Sequence, residues 1–283
     1  MQKRICIGIL TFCDDLKSPE RFSTLKKSLE SYRALKRPDT FIYVWDNNSS
    51  KNVKEYLRSL DFLDGIYFSE KNLYDLVAVN FLEKKAKELS AEFVCYLEDD
   101  FLFYDFNFLD DCYQFMDNNP DCGSLRILKY NFRDRARYDK LSNHPHKDKP
   151  NCQRHYNQND KQQLFWEDCG IIGKHYFYKN NWHWYSFPTI TRTEVFSQII
   201  PKVDCRPLQG MEGFVMEKYH ELGLKVGVMD VGVVTHLADA SLGNSQRIAF
   251  EKKPGSTGYP IVKHSEIYEE IYNIKNELEE HND

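Results

Sequence analysis

Three consecutive carboxylates, Glu98-Asp99-Asp100, stand where the apolar run Phe93-Val94-Cys95-Tyr96-Leu97 ends, and Phe101-Leu102-Phe103 follows at once. An apolar run without alternation reads as a strand buried on both faces, as in a parallel sheet. Unpaired charge is too costly for the core of such a sheet. The carboxylates therefore belong at its carboxyl edge, where open α/β sheets keep their ligand crevice. Like charges this close repel unless a cation joins them, and an oxygen-only cluster suits Mg²⁺ or Mn²⁺. An acidic turn between a strand and a helix would give the same three residues. The rest of the chain has to distinguish the two.

Residues 5–10 form a second unalternating apolar run and read as the first buried strand. Ser18-Pro19-Glu20 then supplies an N-cap, a proline at the first helical position and an acid in the first turn. Phe22, Leu25, Leu29 and Tyr32 follow at helical spacing. Phe41-Ile42-Tyr43-Val44-Trp45 is the next strand and runs into Asp46-Asn47-Asn48. A short helix (Val53, Tyr56, Leu57, Leu60), a strand (Ile66-Tyr67-Phe68) and a helix (Leu73, Leu76, Val77, Leu82) lead to the carboxylate-ended strand. Strand and helix alternating at short intervals imply right-handed crossovers and a parallel sheet. Two strand ends, at Asp46 and at Glu98 to Asp100, thus deliver polar groups to one edge. That convergence favours a site over an incidental turn.

Composition sets the bounds. The 283 residues, 41% hydrophobic, suffice for one large domain or two small ones. With 29% charged residues and a net charge of −5, neither disorder nor a uniformly basic nucleic-acid binder is indicated. Eight cysteines include no Cys-x-x-Cys pair, which argues against a zinc knuckle or a thioredoxin-type motif. Cys6 and Cys95 sit inside apolar runs, as small buried hydrophobes of a reducing compartment do. The basic lead and apolar run at the start are too short for a signal peptide, Asp14-Asp15 follow, and no segment has the length of a membrane span. The expectation is a soluble cytoplasmic protein.

Beyond a helix closed by Asn119-Pro120 and a strand at residues 124–128, the character changes. Residues 126–179 hold twelve Lys and Arg against six Asp and Glu, with His144, His146 and His155 among them. Little periodicity is left between Asp139 and Lys161, so a long basic loop is expected, either a lid or clamp for an anionic acceptor such as nucleic acid or a solvated excursion. Trp182-His183-Trp184-Tyr185 offers an aromatic platform for sugars or bases, or ordinary core. Gly210-Met211-Glu212-Gly213 opens a helix stopped by Gly223, and short strand-like runs end in Thr235-His236. Ile267, Ile271, Ile274 and Leu278 mark an amphipathic C-terminal helix.

With these pieces in order, the chain resembles the GT-A glycosyltransferases, especially the inverting family-2-like enzymes. Cys6-Ile7-Gly8-Ile9-Leu10-Thr11 is similar to the first strand with its nucleotide-side Thr, and Val44-Trp45-Asp46 to the strand whose Asp reads the nucleobase. Asn72-Leu73-Tyr74 resembles the Asn-x-Gly segment with Tyr for Gly, and Glu98-Asp99-Asp100 the Asp-x-Asp motif with Glu first. Met211-Glu212-Gly213 resembles the acceptor-base motif with Gly for Asp. Val233-Val234-Thr235-His236 resembles the late strand whose His completes the metal site.

The resemblance implies an α/β fold of GT-A type, a Rossmann-like mostly parallel sheet flanked by helices, with a basic loop insertion and a C-terminal helix. It divides the chain into a donor-binding half (1–130), the basic insertion (131–180), an acceptor and catalytic half (181–250) and a tail (251–283). It implies a nucleoside-diphosphate sugar as donor, probed first as a UDP-sugar, and Mn²⁺ or Mg²⁺ held by Asp100 and His236. Thr11, Asp46, Asn72 and Glu98 or Asp99 fall on the donor, Glu212 becomes the base, and Trp182 and Trp184 line the acceptor pocket. Asp168 is the alternative base. The acceptor is a saccharide or, given the basic stretch, a hydroxylated DNA base. Two other classes compete. A sugar-nucleotide pyrophosphorylase would want a glycine-rich basic loop where Thr11-Phe12-Cys13-Asp14-Asp15 stands, and a non-catalytic sugar or nucleotide binder could use the same fold.

Overall fold

The structure is a computed structural model that describes residues 4–127, 166–180, 188–201, 211–229 and 232–237, with backbone alone at residues 74, 166, 211–213, 216, 235 and 236. The run at residues 5–10 becomes β1 (Ile5–Thr11), flanked by β2 (Thr40–Asp46) and β4 (Phe93–Glu98), both parallel to it. β3 (Gly65–Phe68) lies outside β2, also parallel. Three helices, α1 (Pro19–Tyr32), α2 (Lys51–Arg58) and α3 (Tyr74–Glu88), make the crossovers. Nearly every residue of β1 and β4 is buried, as their lack of alternation predicts. α3 lies close on β1 because Gly8 has no side chain: a Cβ there would sit 2.9 Å from the Leu82 methyls. Ser18 precedes α1 as expected but makes no side-chain cap; its carbonyl accepts the N–H groups of Arg21 and Phe22.

Past β4 the sheet is mixed. β9 (Thr189–Arg192) runs antiparallel between β4 and β6 (Cys122–Arg126). β10 (Lys225–Met229) is parallel to β6, and β8 (His175–Asn180) and β7 (Trp166–Ile172) complete the nine-strand order β3-β2-β1-β4-β9-β6-β10-β8-β7. α4 (Leu109–Asn118) precedes β6, α5 (Thr193–Ile199) follows β9, and α6 (Met211–Glu221) precedes β10. A separate two-stranded sheet pairs β5 (Phe101–Phe103) with β11 (Val234–His236).

The expected loop over 131–180 is corrected at its end, because residues 166–180 are the β7–β8 hairpin that widens the sheet. Its turn carries Gly173 at φ +58°. Phe177 stacks on Phe115 of α4 with centroids 4.8 Å apart, and Phe177 and Tyr178 are buried. Aromatic packing therefore fixes a segment whose charge had read as solvated. Residues 128–165 and the expected C-terminal helix lie outside the described residues. Among the described residues no helix is long and apolar enough to cross a membrane.

Candidate functional site

Strand register aligns the polar ends. Thr11 pairs with Asp46 across β1–β2, and Leu10 pairs with Glu98 across β1–β4. Asp99 and Asp100 form the turn after β4, level with Thr11. Thr11 Oγ1 donates to Asp99 Oδ2 at 2.6 Å, and the Phe12 N–H donates to the same oxygen at 3.2 Å. Arg21, in the first turn of α1, forks across the turn. Its Nη2 donates to Asp99 Oδ1 in a short contact, and its Nη1 lies 3.3 Å from Asp100 Oδ2. Burial pushes the Asp99 carboxyl up from its ordinary value against the pull of Arg21, while Asp99 and then Asp100 hold the Arg21 guanidinium in its charged form.

Glu98 is fixed through its backbone, since the fully buried Tyr32 donates its hydroxyl to the Glu98 carbonyl at 2.5 Å. Asp46 is fully buried and accepts the Ser49 N–H at 3.1 Å, and burial pushes its carboxyl up. The neighbouring Asn47 Oδ1 accepts the N–H of Leu73 at 3.2 Å and so ties the end of β2 to the start of α3. Asn72 is half-buried in that same loop. Asn80, on α3, is a clamp within the fold: its amide donates to the carbonyls of Leu76 and Pro201. Burial first, then Asp99, pushes the Cys13 thiol up to about 12, so it is no nucleophile at neutral pH.

The far part of the chain reaches this edge through β11. His236 pairs with Phe101, and the Leu237 N–H donates to the Asp100 carbonyl at 2.7 Å. Asp100 and His236 are thereby neighbours in backbone. Glu212 is the second residue of α6. Trp182 and Trp184 lie outside the described residues. Asp168 is not part of the cluster. It is exposed on β7, accepts the Tyr176 hydroxyl at 2.6 Å, and stands five strands from β4, about 24 Å at ordinary strand spacing.

Among the described residues no three potential metal ligands converge, and both Asp99 oxygens are engaged by Thr11, Phe12 and Arg21. Asp99 therefore has no oxygen left for a cation, and of the two carboxylates in the turn only Asp100 could meet one.

Sequence reasoning missed Arg21. A cation in the first turn of a helix opposes the helix dipole and so needs an anion to hold it, which is the signal that would have found it. Of the twelve basic residues at 126–179, Arg126, Lys174 and Lys179 are among the described ones. Lys174 pairs with Asp105 at 2.8 Å, Lys179 with Asp121 at 3.0 Å, and Arg126 is buried, so two of these cations are matched by carboxylates and the third is turned from solvent.

No family model matches the chain, and no curated protein sequence does. Its fold is shared with solved structures. S. aureus TarS 1-349 in complex with UDP-GlcNAc matches at TM-score 0.51 and 15% identity over 94% of this chain and 64% of that one. TarS 1-349 alone matches at 0.50 and 14% over 83% and 60%. The mannosyltransferase PcManGT from Pyrobaculum calidifontis, in complex with GDP-Man and Mn²⁺, matches at 0.51 and 12% over 88% and 61%. The chain thus spans under two thirds of these structures, and at such identities the likeness is one of fold.

Proposed function

We propose that the chain is a glycosyltransferase that moves a sugar from a nucleoside-diphosphate sugar to a saccharide or other hydroxyl acceptor, with inversion at the anomeric carbon. The observation that carries this reading is the meeting of Thr11, Asp46 and the Asp99–Asp100 turn at one sheet edge. The shared fold, seen with UDP-GlcNAc in TarS and with GDP-Man and Mn²⁺ in PcManGT, supports it.

Thr11, Asp46 and Asn72 are assigned to the nucleotide and Glu98 to the ribose. Asp99, buried under Arg21 and Thr11, acts by holding its neighbours rather than by touching the donor. Asp100 and His236 are the residues that would hold Mn²⁺ or Mg²⁺, which supplies positive charge for the leaving diphosphate. The acceptor hydroxyl must lose its proton as its oxygen attacks the anomeric carbon, and Glu212 takes that proton. Attack on the face opposite the leaving group inverts the centre. Trp182 and Trp184 keep the acceptor role that suits their aromatic surface.

Thermal unfolding with UDP-GlcNAc, UDP-glucose and GDP-mannose, each with and without Mn²⁺, tests the reading. A donor bound only to the native state at roughly a hundred times Kd stabilises by about 2.7 kcal/mol. The expected result is a metal-enhanced shift with at least one donor. No shift with any donor at millimolar concentration would overturn the proposal.

A further inference from the structure

We infer that the turn Gly173-Lys174-His175 is a proton-dependent clasp, closed on Asp111 and Asp105 while the His175 imidazole carries a proton on each ring nitrogen and loosened when it loses one. The inference is independent of the glycosyltransferase reading above.

Three consecutive residues wrap one carboxylate. Gly173 passes so close that a Cβ there would collide with the Asp111 carboxylate, and its positive φ suits glycine as well. The Lys174 N–H donates to Asp111 Oδ2 at 3.1 Å, and His175 Nδ1 lies 2.7 Å from the same oxygen. The other ring nitrogen, Nε2, lies 3.4 Å from Asp105 Oδ2. Asp111 is in the first turn of α4 and Asp105 on the segment between β5 and α4, so the clasp docks the tip of the β7–β8 hairpin on both. β8 runs antiparallel to β10 and begins beyond its last residue, Met229. The tip therefore stands at the carboxyl edge of the sheet, where the candidate site also opens.

His175 is 7% exposed, so water has little access to replace either partner. A neutral imidazole has one N–H and would turn a lone pair on the other carboxylate; only the doubly protonated ring donates to both. Among the described residues around the ring, Lys174 Nζ pairs with Asp105 Oδ1 at 2.8 Å, Phe177 stands edge-on at 6.4 Å, and Asp110 turns to Arg37 at 2.7 Å. Burial acts to raise the Asp105 carboxyl, but Lys174, the Asn107 N–H and His175 outweigh it and hold it low, so Asp105 stays an anion near neutral pH. The imidazole proton is then the one that changes. Both bonds are present where the ring is doubly protonated, and one is lost as pH rises through the range in which imidazoles titrate.

Amide exchange at the Lys174 N–H and imidazole nitrogen spectra, recorded by NMR between about pH 5 and pH 8 on wild type, His175→Gln and Asp105→Asn, test the clasp. In wild type both His175 nitrogens should carry protons at the acid end. The Lys174 protection factor should fall roughly ten-fold towards the alkaline end, the worth of one charge-assisted hydrogen bond. His175→Gln should show low protection that varies little with pH, and Asp105→Asn should shrink the fall. A single protonated ring nitrogen at the acid end, or a constant protection factor, overturns the inference. So does an equal fall in His175→Gln. If that variant proves unfolded, Asp105→Asn carries the comparison, and an undiminished fall in it overturns the inference.

Discussion

The carbonyl oxygen of Asp100 accepts the N–H of Leu237 at 2.7 Å, and the preceding residue, His236, pairs with Phe101. A short antiparallel ladder therefore splices the late part of the chain onto the turn after β4. The Val233 N–H adds a bond to the Ile127 carbonyl at 2.9 Å, which ties the same segment to the residue that follows β6. Asp100 and its neighbour Phe101 are thus held by backbone bonds to the late segment.

Asp100→Asn should abolish the Mn²⁺-dependent part of a nucleotide's thermal shift and leave the ligand-free protein folded, because Asn keeps the shape of the side chain and Arg21 keeps its pair with Asp99. Denaturant unfolding checks the second outcome. A full Mn²⁺-dependent shift in the variant would remove Asp100 from the cation site.

Glu212→Gln should keep donor binding and lower transfer roughly 10²- to 10⁴-fold, the range set by loss of a general base. Single-turnover transfer on a donor-saturated enzyme reads this directly. Unchanged turnover would move the base to another residue.

The β7–β8 hairpin should loosen in acid. Lys225 and Lys179 both bind Asp121 and Glu167, at 3.2 Å and 3.0 Å to Asp121. The hydrogen bond from Lys225 holds Glu167 below the usual carboxylate range; burial acts to raise Asp121, but the two lysines outweigh it and hold it low too. A depressed folded-state pKa gives stability that is present above the unfolded value and lost as pH falls through the folded one. Amide-exchange protection in residues 175–180 should accordingly hold at pH 6 and fall below about pH 4. Lys225→Met should shrink that difference.

Gly227→Ala should destabilise by about 1–3 kcal/mol, the cost of overpacking a tight core. A Cβ there would collide with the Phe115 ring, which is fully buried and stacked on Phe177, so the ring has nowhere to go. The urea midpoint should drop without a change in slope. An unchanged midpoint would mean that α4 can shift away from β10.

The early strands were readable because each is an unbroken apolar run that stops at polar residues: Leu10 before Thr11, Trp45 before Asp46, Leu97 before Glu98. Chain-local pattern was enough to align them, and the register agrees. Phe101-Leu102-Phe103 was not readable as a strand of its own, since what defines it is a partner at Val234–His236. The hairpin was hidden for a related reason. Counting charges along residues 126–179 cannot reveal that Lys174 and Lys179 are matched by Asp105 and Asp121 from outside that stretch. Arg21 was not readable because its partners, Asp99 and Asp100, come 78 and 79 residues later in the chain.

The placement of β9 also dictates the order in which the molecule can be completed. β4 and β6 are both made by residue 126, yet the strand that belongs between them is residues 189–192. During synthesis β6 waits with neither sheet neighbour, and β4 exposes an unpaired edge, until the ribosome has delivered that later segment. Such edges invite pairing with other chains. A fragment ending near residue 130 would keep the Asp99–Asp100 turn in sequence but accumulate as aggregate, whereas two full-length chains held close together could exchange their late segments and close each other's sheets.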